Sequence, residues 1–578
     1  MSTKHFATDI DKLVLDGLEA LTLTNPDLLY YKKDRVIASK NHNSETSVAV
    51  VSGGGAGHEP AHAGFVGDGM LTAAASGWIF ASPSVAQISR AIDAVAGSKG
   101  VLIIIKNYTG DIFNFSIAAE KARSKGIPAE VVVVADDVAV GRAKSGKVGR
   151  RGLAGTVLVH KVAGAVASNS ISSLKEVVAT AKEVADNLVT VGVSLNHVHV
   201  PGRKVEEENI IADDEAELGL GIHNEKGCIR LKPIPPLPAL VSQMLDQLID
   251  LNDSDRAYVD FSTAENVVLM VNNLGGLSPL ELSAITTEVV TQLDGRGLRP
   301  VRLFAGTYMT SLDGPGFSIT LLKAKSALLS YLDAPTKAVG FTPGSIVTGK
   351  AEWTSRMIES SVVPAPVAAT NGQSKPKILD PEIFVSALSA ACKKAIAAEP
   401  LITQYDTVVG DGDCGYTLKR VSEAVLEFVT AGKISPSVDT LMQLAETVES
   451  NMDGTSGAIY SVYVHALATA ASTATGLMDQ AAWGAAAADA LKTLFNVTPA
   501  RSGDRTLIDA LAPFVDSLAS GNGIVAAAEA SKAGAEHTKG MVASLGRAVY
   551  VDAEGYDRVP DPGAVGVSEL VAGLASVF

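Results

Sequence analysis

The sequence predicts two domains, an α/β domain followed by an all-helical domain. Two observations predict this fold class. In the first part of the chain, strand-like runs such as "TSVAVVSG", "GVLIIIKNY", "AEVVVVADD" and "VVLMVNNLGG" alternate with helical patterns such as "PSVAQISRAIDAVAGS", which indicates buried parallel strands with helical crossovers. In the last part, segments such as "PEIFVSALSAACKKAIAAE" and "QAAWGAAAADALKTLF" repeat apolar residues at helical spacing, and no strand pattern interrupts them.

A linker separates the two parts. A chain of 578 residues exceeds what one hydrophobic core normally supports. The segment "SSVVPAPVAATNGQSKPK", residues 360 to 377, is rich in proline, alanine and small polar residues, which is typical of an extended linker. We therefore predict an α/β domain over residues 1–355, a linker over 356–378 and an all-helical domain over 379–578.

Composition excludes several classes of function. The chain carries 63 acidic and 48 basic side chains, a net charge of -15, so nucleic acid is not an expected partner. Neither a signal peptide nor an apolar run of about 20 residues is present, which predicts a cytoplasmic protein without a membrane partner. Cys228, Cys392 and Cys414 are far apart, so neither a disulfide framework nor a zinc site is expected.

The stretch "VAVVSGGGAGHEPAH", residues 48–62, places a glycine loop after a strand. A dinucleotide-binding loop requires a helix to follow directly, but "HEP" interrupts here, so a small polar ligand fits better than a nucleotide. His58 is expected at the carboxyl end of the strand, where α/β sheets bind ligands. The alternative is that His58 only packs with Pro60 and His62 to shape the turn.

Two further segments place reactive side chains after strands or in turns. In "VLIIIKNYTGDIFNF", Lys106 and Asp111 follow a hydrophobic strand where a helix begins. Asp111 could simply cap that helix, or it could accept a proton from a hydroxyl. In "ELGLGIHNEKG", His223 lies in a glycine-flanked turn and either faces a cavity or hydrogen-bonds its own loop.

The helical domain carries a predicted metal site. Asp406, Asp411 and Asp413 fall within "QYDTVVGDGDCGYTLKR", and such crowded carboxylates repel one another unless a cation compensates. An all-oxygen ligand set suits magnesium with a nucleotide better than zinc. The alternative is an Asp-Gly surface turn. Downstream, Thr455 and Ser456 begin a helical pattern whose N-terminus could bind phosphate.

Seven motifs together resemble a known family. "GGGAGHEPAH", "KNYTGDIFNF", "GLGIHNEKG", "GDGDCGYTL", "GTSGAIY", "GDRTLIDAL" and "DPGA" occur in the order found in ATP-dependent dihydroxyacetone kinases, also called glycerone kinases or triokinases. The resemblance spans nearly the whole chain. It implies two α/β subdomains that bind the triose, a C-terminal antiparallel helical barrel that binds ATP, a homodimer with or without domain swapping, and a role in glycerol metabolism.

The resemblance also implies roles for residues of the first domain. The histidine that matches His223 bonds to the substrate carbonyl carbon and forms a hemiaminal, a reaction that glycerol cannot undergo because it has no carbonyl group. His58 stabilises the hemiaminal, Lys106 binds a hydroxyl and Asp111 is the general base. Backbone contacts to the triose come from the run Gly55, Ala56 and Gly57, although Ala56 replaces the serine that is common in the family.

For the second domain, the resemblance implies two Mg²⁺ ions bound with ATP by Asp406, Asp411 and Asp413. The implied nucleotide-binding residues are Asp411, Gly412, Asp413, Cys414, Thr455, Ser456, Asp504, Arg505, Asp561, Pro562 and Gly563.

Two alternatives to a kinase alone remain open. Some animal relatives also split FAD into AMP and cyclic FMN with Mn²⁺, and no residue of this sequence decides that question. Relatives of the triose-binding half act as non-catalytic regulators, but the aspartate triplet argues against that role here. The expected substrates are dihydroxyacetone, D-glyceraldehyde and ATP.

Overall fold

The computed structural model describes residues 4–203, 210–347, 378–431, 436–474, 476–545 and 553–578. The chain forms two compact units, Met1–Glu359 and Ser360–Phe578. The predicted linker, residues 356–378, lies outside the described residues except for Ile378, which is buried. The exact domain limits therefore stay a prediction.

The first unit contains a six-stranded sheet with the order β1-β2-β4-β3-β5-β6. Its neighbours β4, β3, β5 and β6 run parallel, as the sequence predicts, whereas β1 and β2 join antiparallel at one edge. The strands are β1 Leu28–Tyr31, β2 Val36–Ser39, β3 Ala49–Ala56, β4 Ala73–Ile79, β5 Val101–Lys106 and β6 Ala129–Val134.

A second sheet of seven strands has the order β13-β11-β10-β12-β7-β8-β9. The predicted parallel pairing is present here only between β10 and β11, and the other neighbours in this sheet run antiparallel. A strand buried on both faces is apolar whichever way its neighbours run, so its composition does not reveal their direction. The strands are β7 Leu188–Ser194, β8 Ala216–Leu218, β9 Ile229–Leu231, β10 Asn266–Asn273, β11 Pro300–Gly306, β12 Gly316–Ala324 and β13 Ser345–Ile346.

Helices bury both faces of the first sheet. Along β5, Leu102 and Ile104 pack in one core cluster with residues of α4, while Ile103 and Ile105 pack in another with residues of α2 and α3. The helices of this unit are α1 Ile10–Thr24, α2 Val85–Val95, α3 Thr109–Ser124, α4 Thr156–Ala167, α5 Leu174–Asp186, α6 Leu237–Ile249, α7 Pro279–Gly295 and α8 Ser326–Asp333.

The described part of the second unit is all-helical, as predicted. Its helices are α9 Pro381–Val409, α10 Cys414–Thr430, α11 Val438–Asn451, α12 Gly454–Ala470, α13 Gln480–Val497, α14 Ile508–Ala519, α15 Ile524–His537, α16 Ala553–Arg558 and α17 Pro562–Ala575. From α9 to α15 each helix packs against the next, α15 packs against α17, and α17 packs against α9. These eight helices close into a ring, which is the helical barrel that the resemblance implies. No helix of the described residues has the length and hydrophobicity needed to cross a membrane.

Candidate functional site

The carboxyl edge of the first sheet gathers the predicted triose site. Strands β3 and β5 are parallel neighbours, so the residues that follow them reach the same edge of the sheet. His58 follows β3, Lys106 ends β5, and Asp111 lies in the first turn of α3. Tyr108 is the residue before that helix and makes no side-chain cap. Asp111 is therefore not the capping residue that one interpretation of the sequence expected.

The predicted glycine loop is mostly strand. Gly53 and Gly55 lie within β3, and only Gly57, with a φ of 97°, has left-handed backbone geometry. A Cβ atom at Gly55 would lie 2.7 Å from the Ala81 nitrogen. These glycines therefore allow neighbouring backbone to approach the strand closely, while the turn needs glycine at one position only.

A cavity of about 320 Å³ opens beside this edge. The predicted residues Gly55, Asp111 and His223 line it, whereas Ala56, Gly57, His58 and Lys106 are not among its lining residues. The cavity is lined by Gly55, Phe80, Ser82, Tyr108, Thr109, Gly110, Asp111, His223 and Glu225.

His223 comes to this cavity from the turn after β8, in the second sheet. Its imidazole Nδ1 lies 2.9 Å from Glu225 Oε1, and its backbone nitrogen donates to Glu225 Oε2 at 3.0 Å. A carboxylate accepts but does not donate, so Nδ1 carries the hydrogen and Nε2 of the neutral ring keeps its lone pair. Burial alone would raise the pKa of Glu225, but the hydrogen bonds from the His223 ring and backbone nitrogen, together with the positive charge that the ring carries when protonated, outweigh it and lower that pKa to about 2.

His58 lies next to His223, with ring centroids 4.7 Å apart. Its Nδ1 donates to the Thr310 carbonyl oxygen at 2.8 Å, and its Nε2 has no hydrogen-bond partner among the described residues. Burial, and then the charge of Lys106, lower the pKa of His58 well below its usual value. The ring is therefore neutral near pH 7, and its Nε2 is a hydrogen-bond acceptor.

Lys106 and Asp111 are both buried, at 1% and 4% exposure. Burial lowers the pKa of Lys106 to about 8, although the charge of Asp111 opposes that shift. Burial likewise raises the pKa of Asp111, against the charge of Lys106 and a hydrogen bond with Ser82. Lys106 Nζ and Asp111 Oδ1 lack hydrogen-bond partners among the described residues, so both groups can serve a bound molecule.

The three aspartates of the predicted metal site come together in the second unit. One carboxylate oxygen from each of Asp406, Asp411 and Asp413 lies within 4.8 Å of the others. Asp406 is buried and accepts a hydrogen bond from the Cys414 backbone nitrogen at 3.0 Å, while the other two aspartates are exposed. Three oxygen donors this close, with no nitrogen or sulfur ligand in the group, fit a hard divalent cation such as Mg²⁺.

Other predicted nucleotide residues lie at helix starts. Thr455 and Ser456 occupy the first turn of α12. Asp561 caps α17 by accepting from the Ala564 nitrogen at 2.8 Å, and Pro562 and Gly563 begin that helix. Burial raises the pKa of Asp561 to about 6.

Burial raises the pKa of the Cys414 thiol to about 12, and the charges of Asp406 and Asp561 add to that shift. The charge of Asp406 also raises the pKa of Asp561. Asp406, Asp561 and Cys414 are therefore neighbours. Gly412 has a φ of 80° and forms the turn between α9 and α10. The start of α17 therefore lies beside the aspartate cluster.

Arg505 and Asp504 both contact protein groups in this structure, and their roles at the nucleotide stay a prediction. The Arg505 side chain, expected beside the nucleotide, is 0% exposed and lies 3.9 Å from Asp561 Oδ2. Its Nη2 donates to the Val559 carbonyl oxygen at 2.9 Å. Asp504 accepts from Ser544 Oγ at 2.6 Å and, within its own loop, from the Arg501 backbone nitrogen at 2.7 Å. Both residues connect separate segments of the second unit: Arg505 contacts Val559 and Asp561, and Asp504 contacts Ser544.

Comparison with known proteins gives the family. The Dak1 domain matches residues 19–340 and the DAK2 domain matches residues 408–576. A dihydroxyacetone kinase of Pichia angusta is 44% identical over 610 aligned residues, which cover 100% of this chain and 99% of that protein. The chain belongs to the dihydroxyacetone kinase family.

Two further members are similar over their whole length. The human protein named triokinase/FMN cyclase is 38% identical over 593 residues and is covered completely, as is this chain. The crystal structure of the dihydroxyacetone kinase from C. freundii in complex with AMP-PNP and Mg²⁺ matches with a TM-score of 0.63 and 29% identity, again over 100% of both chains. The fold class predicted from the sequence is thus that of a dihydroxyacetone kinase.

Several residues that line the cavity of this dihydroxyacetone kinase family member were not among the predicted site residues. Glu225 lies in the quoted segment "GLGIHNEKG", two residues after His223, and that spacing in a turn could have indicated a carboxylate partner for the ring. Tyr108 and Thr109 lie in the segment "KNYTGD". Phe80 and Ser82 carried no sequence signal, since they reach the cavity through tertiary packing.

Proposed function

We propose that this chain phosphorylates dihydroxyacetone, and D-glyceraldehyde, with MgATP to give the triose phosphate and ADP. The observation that carries the proposal is the His223 imidazole, which Glu225 holds with Nδ1 protonated at the wall of a small polar cavity. Asp111 lines the same cavity. A nucleophilic nitrogen and a carboxylate beside one small cavity suit capture of a carbonyl compound that carries a hydroxyl group.

Covalent capture uses His223 Nε2. Its lone pair forms a bond to the carbonyl carbon, the C=O π pair moves to oxygen, and that oxygen takes a proton from water, which leaves hydroxide in the solvent. The ring becomes an imidazolium in the hemiaminal, and the carboxylate of Glu225, 2.9 Å from Nδ1, compensates its charge. Glycerol offers no carbonyl carbon and cannot be captured in this way.

His58 would stabilise the hemiaminal, as the resemblance implies. Because Nδ1 donates to Thr310 and the ring is neutral, Nε2 has a lone pair rather than a hydrogen. We propose that it accepts a hydrogen bond from the hemiaminal hydroxyl and so stabilises the adduct. Backbone atoms of Gly55, Ala56 and Gly57 would contact the triose.

Asp111 would act as the general base on the terminal hydroxyl, taking its proton as the oxygen attacks the γ-phosphate. Burial raises the pKa of Asp111, which makes its carboxylate a stronger base than an exposed aspartate. Lys106, buried beside it, would donate a hydrogen bond from its ammonium group to a substrate hydroxyl.

The second unit would hold the nucleotide. Asp406, Asp411 and Asp413 would bind two Mg²⁺ ions, which neutralise charge on the ATP phosphates when bound. Backbone N–H groups and hydroxyls of Thr455 and Ser456 would donate to phosphate oxygens at the start of α12. A homodimer, with or without domain swapping, a cytoplasmic location and a role in glycerol metabolism complete the proposal.

One experiment tests the function directly. Release of ADP is measured with MgATP and dihydroxyacetone, D-glyceraldehyde or glycerol, and capture is followed by NMR with dihydroxyacetone labelled with ¹³C at the carbonyl. We expect turnover of the two carbonyl substrates, little turnover of glycerol, and a protein-bound tetrahedral carbon. A chain that does not turn over MgATP with either triose contradicts the proposal and favours a regulator.

A second activity has a specific basis. The human relative is named triokinase/FMN cyclase and matches over its whole length. FAD-AMP lyase activity in this chain would use the same nucleotide site with Mn²⁺. Incubation with FAD and Mn²⁺ tests it, with riboflavin cyclic phosphate as the expected product and Asp413→Asn as the variant that should abolish its formation.

A further inference from the structure

A buried group of polar side chains lies behind the triose cavity. We call it the polar cluster: Ser52, His62, Lys106, Thr156 and His160. All five are at most 4% exposed. Apart from Lys106, none has a role in the proposed reaction, and none of the five lines the cavity.

Strand alternation explains why these residues meet. Side chains two apart on a strand point to the same face, so Lys106 follows Leu102 and Ile104 on the face of β5 that packs against α4. On α4, Thr156 and His160 are four residues apart and share one side of the helix. Polar residues thus occupy one end of a face that is otherwise apolar.

Specific contacts connect the group. The His62 and His160 rings have centroids 5.2 Å apart. A Cβ atom built at Gly54 would lie 3.2 Å from His62 Nε2 and 3.8 Å from Lys106 Cε. The Lys106 side chain and His62 therefore border a common space that glycine at position 54 keeps open, and the His160 ring packs against His62.

Several buried polar atoms of this group have no hydrogen-bond partner among the described residues. They are Lys106 Nζ, His62 Nε2, Thr156 Oγ1 and both ring nitrogens of His160. Buried polar groups in native proteins are almost always hydrogen-bonded, and ordered water supplies the partner where protein does not. Five such atoms on the residues of this one buried cluster indicate that water hydrates it.

We propose that His62 and His160, with water bound between them, are positioning residues that solvate the Lys106 ammonium group inside the protein. The neutral rings offer acceptor nitrogens to the water, and the water accepts from the ammonium group. This arrangement keeps Lys106 charged and oriented next to the triose cavity. The consequence for catalysis rests on the proposed function, whereas the solvation of Lys106 does not.

The charges around Lys106 are consistent with this role. Burial lowers its pKa to about 8, and the carboxylates that oppose the shift are, in order of effect, Asp111, Glu225, Asp136 and Glu59. The ring of Tyr108 also faces the ammonium group, with Nζ 5.4 Å from its centroid.

The neighbouring histidines stay neutral. Burial lowers the pKa of His62 well below its usual value and that of His160 to about 3, and the Lys106 charge adds to both shifts. Burial and the same charge keep His58 neutral as well. Near pH 7 the three rings accept hydrogen bonds and do not repel the lysine.

Titration of Lys106 tests the proposal without relying on kinase activity. The chain is labelled with ¹³C at lysine Cε, and Lys106→Met assigns the signal. We expect His160→Phe and His62→Phe each to lower the pH midpoint by about one unit, because they remove an acceptor from a buried cation. His160→Gln keeps an acceptor, so its Lys106 midpoint should lie close to that of the wild-type chain.

A control separates solvation from loss of packing. Val159→Ala removes buried apolar atoms from the same helix and leaves every residue of the polar cluster in place, so the Lys106 midpoint should not move. An unchanged midpoint in both phenylalanine variants overturns the proposal.

If His160→Phe does not fold, the His62→Phe variant and a crystal structure of the wild-type chain decide the question. Absence of ordered water at the His62 and His160 nitrogens in that crystal structure also overturns the proposal. A wild-type chain without kinase activity would contradict the proposed function, yet its Lys106 titration would still test the inference.

Discussion

The imidazole Nδ1 of His223 lies 2.9 Å from Glu225 Oε1, and the same carboxylate accepts from the His223 backbone nitrogen. This pair fixes which ring nitrogen can act as a nucleophile. Removing the carboxylate should therefore impair capture of the carbonyl substrate while leaving the nucleotide site intact.

Replacement of Glu225 tests this relationship. A hydrogen bond to a charged group contributes about 1.5–3 kcal/mol, and since the Glu225 side chain is 36% exposed, we expect the lower end, about a tenfold fall in kcat/KM for Glu225→Ala. For Glu225→Gln, kcat/KM should fall less, because the amide oxygen still accepts a hydrogen bond from His223. Glu215→Gln, in a surface ion pair with Arg230, is the control, and equal rates for Glu225→Ala and wild type would contradict the role.

Replacement of His223 tests substrate discrimination. His223→Ala removes the nucleophile, so turnover of dihydroxyacetone should fall and the preference over glycerol should narrow, as measured by kcat/KM for each substrate. His465→Ala, a half-buried histidine paired with Glu449, should behave as wild type. Unchanged covalent capture in His223→Ala refutes the assignment.

The pH dependence should report Lys106. Its pKa is lowered to about 8 in the folded chain, so the ammonium donor is present below pH 8 and is lost as the pH rises through that value. We expect kcat/KM for dihydroxyacetone to fall above about pH 8. In Lys106→Met, kcat/KM should be low at every pH, and the fall above pH 8 should disappear. If that fall persists in the variant, it belongs to another group.

The aspartate cluster should control stabilisation by MgATP. A ligand at a hundred times its dissociation constant stabilises the folded state by about 2.7 kcal/mol, which a thermal unfolding assay detects as a higher Tm. Asp413→Asn should lose most of this increase, whereas Asp516→Asn, an exposed aspartate on α14, should keep it. The same increase in Asp413→Asn and wild type would place the metal elsewhere.

Gly55 should not accept a side chain. A Cβ atom there would lie 2.7 Å from the Ala81 nitrogen and 2.9 Å from the Phe80 carbonyl carbon, so Gly55→Ala should destabilise the fold by about 1–3 kcal/mol and disturb the cavity. Gly17→Ala on α1 meets no atom within 4 Å and should stabilise by about 0.5–1 kcal/mol. Denaturant unfolding measures both changes, and equal stabilities for Gly55→Ala and wild type would contradict the packing argument.

The sequence by itself determined the parallel strands of the first sheet, the helices of the second unit and the edge where Lys106 and Asp111 lie. It also determined the crowding of Asp406, Asp411 and Asp413 into one cluster. These features follow from local periodicity and short spacing, which a chain carries in its order of residues.

Only the tertiary structure decided the rest. It set the direction of strands in the second sheet, the contact of His58 with His223, the tautomer that Thr310 imposes on His58, and the burial of Arg505 beside Asp561. The physical reason is that each depends on groups far apart in the chain, or on burial, and neither the distance between such groups nor the burial of a side chain is fixed by local pattern.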